Sequence, residues 1–258
     1  MIPVKSESEI ARMREACRIA ANVLERLCRM ATPGVNTYDL DQEARQLLEG
    51  FGARSACFGY QVGQRRFPAH TCLSVNDAIV HGIGDLRCIL KDGDLLSVDV
   101  CVEYQGFIGD NARTIAIGMA SVENQNLLIR TREALMAGIE QARPGNRVGA
   151  ISNAVERYVR PYGYGIIRDF VGHGVGRTMH EPPQIPNFGP RARGEILRPG
   201  MTLAIEPMIA RGHPKVRIAE DGWTALTIDG SPAAHFEHTV LVTRGDPEIL
   251  TLPESLPG

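Results

Sequence analysis

Apolar residues in the N-terminal stretch fall on one helical face. Ile10, Met13, Cys17, Ala20, Leu24 and Leu27 recur at intervals of three and four residues, the period at which helical side chains stack on one side. Ser6, with Glu9 three residues on, forms a capping box and predicts the start of that helix. A second helix is predicted over residues 38–49, stopped by Gly50. The pattern then returns. A looser helical stretch over 122–141 carries Leu128, Leu135 and Ile139, and another over 148–160 ends before Pro161. Short apolar, β-branched runs bounded by glycine, at 94–100, 113–117, 166–171, 201–205, 223–228 and 238–243, predict strands.

The same order of elements occurs twice, and short sequence matches coincide with it. LKDGDLLSVD at 90–99 aligns with LRPGMTLAIE at 197–206, an offset of 107, and places Asp99 on Glu206. ATPGVNTYDL at 31–40 aligns with ARPGNRVGAI at 142–151, an offset of 111. Each half reads helix, Pro-Gly turn, helix, strands, with halves of about 1–120 and 121–258 joined near 118–126. Two α+β units, each with one apolar sheet face, are predicted to pack around a shared core.

Composition narrows the function. At 258 residues, 43% hydrophobic and 22% charged, the chain is ordinary globular material. The formal charge of −2 gives no global reason to bind nucleic acid or an anionic membrane. No run free of Asp, Glu, Lys and Arg exceeds ten residues, so no membrane-spanning helix is predicted. The opening MIPVKSESEI lacks the apolar core of a secretory signal. Six dispersed cysteines without a CxxC pair read as reduced thiols, so a cytoplasmic location is expected.

Four acids stand where strands should be apolar. Asp99 lies between Val98 and Val100, and Glu206 follows Ala204 and Ile205. Asp110 precedes the run RTIAI, and Glu237 opens HTVLV. An unpaired buried carboxylate costs several kcal/mol. Any one of them could have a basic partner or sit on an exposed edge. The four together, at equivalent places in both halves, point to a metal centre. Two divalent cations would balance four carboxylates, whereas one would leave a charge of −2. A histidine from GIIRDFVGHGVGRTMHE (165–181) would complete the set. Other motifs fail. Arg177 stands where a dinucleotide loop needs its third glycine, and Pro182-Pro183 breaks any HExxH helix after His180-Glu181. There is no GxSxG elbow and no phosphate-binding P-loop.

NDAIVHGIG (76–84), SVDVCVEYQGFIGDNART (97–114), GHGVGRTMHEPPQIPNFG (172–189), AIEPM (204–208), DGWTALT (221–227) and FEHTVLVT (236–243) together resemble the type I methionine aminopeptidases. The likeness runs from about residue 6 to 243 with every motif in family order. It implies the pita-bread fold, a pseudo-twofold α/β (α+β) repeat with a shared curved antiparallel sheet forming a single catalytic domain over 1–258. It implies that Asp99, Asp110, His173, Glu206 and Glu237 ligate two divalent metals, with Asp110 and Glu237 bridging. This oxygen-rich set with one imidazole suits Mn²⁺, Fe²⁺ or Co²⁺, with Zn²⁺ as a further candidate. By the same likeness, His81 lies near the scissile amide nitrogen, His180 faces its carbonyl oxygen, and Glu206 doubles as general base. Cys57, Tyr60, Phe67, Cys72 and Trp223 match the positions that hold the methionine side chain. The implied role is removal of the initiator methionine from nascent chains near the ribosome when the second residue is small, by a monomer.

The chain departs from the family pattern at Gly84, where proline is usual, and at Cys101, where threonine or a small residue is usual. Asn111 replaces a hydroxyl residue and Met179 a phenylalanine, and the loop between Tyr60 and Phe67 is longer than the common form. None of these is an implied ligand. Two other readings compete. One is a proline-specific aminopeptidase or dipeptidase, which usually carries a large preceding domain. The other is a metal-free binding protein of the same fold, which replaces ligand residues that are all present here.

Overall fold

A computed structural model describes residues 2–253. Helix α1 spans Glu7–Met30; Ser6 Oγ accepts from the Glu9 amide and the Glu9 carboxylate accepts from the Ser6 amide, the capping box read from the sequence. Helix α2 spans Thr37–Gly50 and is capped by Asn36. Helices α3, Val122–Ile139, and α4, Val148–Val159, occupy the second half. The α4 N-terminus has no side-chain cap. Its Val148 and Gly149 amides donate instead to the carbonyls of Glu195 and Arg193.

The predicted strands at 94–100 and 113–117 are parts of two longer ones, Leu95–Tyr104 and Phe107–Ala116. They form a hairpin turned by Gln105 and Gly106, both at positive φ, the conformation that matches strand twist. Glu103 and Asp110 interrupt the apolar runs, which is why the pattern alone ends the first strand too early and starts the second too late. The strand expected over 166–171 is a correction. Gly165–Ile166 and Gly172–Gly174 are the strands, and 167–171 connects them. The cause is close packing. A Cβ on Gly172 would meet the Ala204 carbonyl oxygen at 2.5 Å, and one on Gly174 the Pro182 oxygen at 2.2 Å. Only glycine fits there, so an apolar-run criterion passes over the segment. Glu181–Ile185 is a strand that the sequence reading missed. It lies at the sheet edge, and its register against Gly172–Gly174 shifts across Pro182 and Pro183, which have no ladder partners.

The main sheet runs through Arg54–Ser55, Leu95–Tyr104, Phe107–Ala116, Glu237–Leu241, Thr202–Ile205, Gly172–Gly174 and Glu181–Ile185, with antiparallel neighbours. Cys72–Val75 adds to the second of these strands. The halves meet where Ala112 pairs with Glu237 and Asn111 with His238. Strand alternation then sorts the side chains. Val98, Val100 and Val102 pack into one core with Leu24 and Leu27 of α1 and Leu40 of α2. Leu203, Ile205 and Val240 pack with Leu135 of α3 and Ile151 and Val155 of α4. Asp99 and Cys101, at the alternate positions, point to the opposite face. Smaller sheets bring further residues to that face. Ala78–Val80 pairs with Ala225–Thr227, and Met208–Ala210 with Ala233–His235.

Candidate metal centre and apolar cavity

The four acids come from the central strands and from the residue just after one of them. Register places Asp99 opposite Ala112 and Ala112 opposite Glu237, while Asp110 pairs with Cys101. Glu206 follows Thr202–Ile205, and His173 pairs with Ala204 on the neighbouring strand. Each half thus delivers one pair of carboxylates from an antiparallel strand pair. Asp110, Glu237 and His173 are buried. The donor atoms of Asp110, His173 and Glu237 lie within 4.8 Å of one another, as do those of Asp99, Cys101 and Asp110.

The electrostatics of this cluster call for a cation. Among the described residues no lysine or arginine pairs with any of the four acids; their ion-pair neighbours are histidines. His173 Nδ1 lies 2.9 Å from the Gly174 carbonyl, which only accepts, so Nδ1 carries the proton. Burial pushes the His173 pKa down to about 4, so the ring is neutral at pH 7 and Nε2 presents a lone pair. That lone pair faces Glu206 Oε1 at 3.3 Å and Asp110 Oδ2 at 3.8 Å. Three electron-rich atoms aimed at one another repel unless protons or a metal ion lie between them. Burial, with mutual repulsion added, raises the Asp99 and Glu237 pKa values well above the carboxylate range. Glu206 rises through burial. Burial raises Asp110 to about 8, against the lowering effect of the Cys101 thiol. The residues present fit divalent metal ions by donor type, burial and charge.

A cavity of about 250 Å³ opens beside the acids. Cys57, Tyr60, Phe67, Cys72 and Trp223 all line it, so the structure gathers every residue expected in the apolar pocket. Phe67 meets Trp223 edge to face at 5.3 Å. His81 and His180 line it as well. His81 sits at φ 60°, a constrained backbone for a non-glycine residue, and its ring stands perpendicular to that of Phe170 with centroids 5.2 Å apart. Burial lowers its pKa to about 4. His180 lies at the mouth, its Nδ1 2.7 Å from the Tyr60 hydroxyl and its ring 4.4 Å from that of His173. Met179, one of the departures from the family pattern, also lines the cavity, whereas Asn111 points to the far side of the sheet, away from the acids.

One residue at the site escaped sequence reasoning, and a second was flagged there only as a change beside Asp99. His235 is buried, both of its ring nitrogens lack hydrogen-bond partners, and Nε2 lies 3.6 Å from Glu206 Oε2. Its position two residues before Glu237, on the same side of an extended segment, was the available signal. Cys101 donates to Asp110 Oδ1 at 2.8 Å and lies 3.5 Å from Asp99 Oδ1. The sequence marked it as unusual without showing its partner.

Comparison with known proteins agrees with this geometry. Residues 11–244 match the description "Metallopeptidase family M24". A methionine aminopeptidase of Clostridium acetobutylicum is 44% identical over 254 residues, covering 98% of this chain and all of that protein. The crystal structure of a methionine aminopeptidase from Thermotoga maritima superposes with a TM-score of 0.95 at 42% identity, covering 98% of this chain and 100% of that one. The prolidase of Pyrococcus horikoshii shares the fold alone, with a TM-score of 0.77 at 24% identity over 97% of this chain and 64% of the other.

Proposed function

The chain belongs to metallopeptidase family M24, and on that footing we propose that it is a methionine aminopeptidase, acting on the N-terminal methionine of nascent polypeptides whose second residue is small. The observation that carries this reading is the neutral His173 lone pair set against Glu206 and Asp110 at the foot of an apolar cavity. Asp99, Asp110, His173, Glu206 and Glu237 would hold two divalent ions, Mn²⁺, Fe²⁺ or Co²⁺ by donor type, with Zn²⁺ also compatible. When bound, such ions polarise the scissile carbonyl and lower the pKa of the attacking water from 15.7 to about 7.

The protein's own groups do the rest. Glu206 takes a proton from the attacking water, held between His173 on one oxygen and His235 on the other. His180 donates to the carbonyl oxygen as negative charge develops there. For that its proton must be on Nε2, and the Tyr60 hydroxyl secures this by donating to Nδ1. His81, kept neutral by burial, lies near the amide nitrogen of the bond that breaks. Phe67 and Trp223 give the methionine thioether two aromatic faces, each contact contributing about 0.3–1.5 kcal/mol. The two halves act as one catalytic domain, because each supplies carboxylates to one centre. Six free cysteines fit a cytoplasmic enzyme, and the proposal extends to a monomer working near the ribosome. Methionine release from Met-Ala-Ser should require added Mn²⁺, Fe²⁺ or Co²⁺ after chelation, while Ala-Pro peptides stay intact. Release unaffected by chelation, or preference for the Ala-Pro substrate, contradicts the proposal.

A further inference from the structure

Three buried cysteines meet at the cavity wall beside the acids. Cys57, Cys72 and Cys101 cluster with Phe67 and Ala69. Neighbouring strands bring them together. Cys72 pairs with Asp99, two residues before Cys101 on the same face, and the Ala56 amide donates to the Cys101 carbonyl, setting Cys57 alongside. Cys57 shares this buried cluster and the cavity wall with both of the other thiols. Cys101 is also the thiol that donates to Asp110 Oδ1 at 2.8 Å. All three cysteines belong to a wall that a small molecule can reach through the cavity.

We propose that Cys57 and Cys101 are a modification site, a dithiol that hydroperoxides convert reversibly to a disulfide, switching off the adjacent centre. The sulfur of Cys57, as thiolate, attacks a peroxide oxygen; the O–O bond breaks and hydroxide leaves, giving a sulfenic acid. The Cys101 sulfur then displaces the sulfenic oxygen as water, forming the S–S bond. In total, two thiols and one hydrogen peroxide give one disulfide and two waters. Cys57 lines the cavity, and the neighbouring Cys101 and Cys72 sulfurs hold its thiol below the usual range, which makes it the attacking sulfur. The disulfide removes the proton that Cys101 gives Asp110 and leaves a sulfur lone pair against that carboxylate. It also ties together two residues of the cavity wall. Both changes weaken the centre.

The effect on turnover rests on the function proposed above, whereas the sulfur chemistry does not, so the experiment reads them separately. Manganese-loaded protein is treated with hydrogen peroxide, quenched with an alkylating reagent, and analysed by intact mass, thiol titration and peptide mapping. Expected are the loss of two hydrogen atoms, two fewer titratable thiols than the six of the reduced chain, and a Cys57–Cys101 cross-link reversed by dithiothreitol. Mn²⁺ affinity and methionine release should each fall about tenfold or more, the scale of one lost charged hydrogen bond, and recover on reduction. Cys101→Thr should block the cross-link, while Cys72→Ser should permit it, each compared with its own untreated state. A Cys57–Cys72 link, irreversible sulfinic acid in place of a disulfide, or an unchanged mass under peroxide that oxidises a control dithiol would overturn the proposal. A disulfide that forms without methionine release in the untreated enzyme would instead contradict the proposed function.

Discussion

Tyr60→Phe isolates one hydrogen bond at the mouth of the cavity. The hydroxyl lies 2.7 Å from His180 Nδ1, and in the proposed mechanism its donation there leaves Nε2–H available to an oxyanion. Phenylalanine keeps the ring and so keeps the apolar wall. A hydrogen bond of this kind contributes about 0.5–1.5 kcal/mol net, so kcat should fall by about 2- to 13-fold. His180→Ala removes the donor to the developing charge itself, an effect of about 1.5–3 kcal/mol, or about 13- to 160-fold. The KM for Met-Ala-Ser should change little in Tyr60→Phe, and bound metal should change in neither variant. Steady-state kinetics with metal analysis by mass spectrometry decide the matter. A larger loss in Tyr60→Phe than in His180→Ala, a change confined to KM, or loss of metal would refute the reasoning.

Three further predictions follow from the same geometry. Asp99→Ala and Glu237→Ala should abolish methionine release and lower bound metal, checked by activity and metal content of the purified variants; near-normal turnover in either removes it from the ligand set. In the metal-free protein the four acids have raised pKa values, so above pH 6.5 the folded state binds more protons than the unfolded state and stability falls as pH rises to about 8. Below that the neutral buried histidines His81 and His173 act in the opposite sense, so thermal unfolding should be compared at pH 6.5 and 8, with the decline suppressed by added Mn²⁺; a rise with pH in the metal-free protein contradicts the sign. Gly174→Ala places a methyl 2.2 Å from the Pro182 carbonyl oxygen, backbone against backbone, and should destabilise by about 1–3 kcal/mol and weaken metal binding through His173; an unchanged unfolding midpoint would show that the edge strand yields freely.

How far the chain declares its structure depends on whether a residue's role is local. The helices were legible because capping and the 3.6-residue period are local properties; the α1 capping box occurs where Ser6 and Glu9 predict it. The duplication was legible because two short segments recur in order, and the structure pairs the halves at Ala112 and Glu237. The acids were legible as a chemical anomaly, charges at positions that should be apolar. Gly172 and Gly174 were not legible as strand, because their requirement is the approach of Ala204 and Pro182, distant in sequence. His235 and the Cys57–Cys101 neighbourhood were hidden for the same reason. A histidine or cysteine in an apolar run looks like ordinary core until folding shows which atoms it faces.

The account depends on cations lying between carboxylates contributed by both halves. Crystals soaked in Mn²⁺ and measured at the manganese absorption edge test this directly through anomalous scattering. Two peaks among Asp99, Asp110, His173, Glu206 and Glu237 are predicted. Crystals that show no peak there at saturating Mn²⁺ and neutral pH would contradict it.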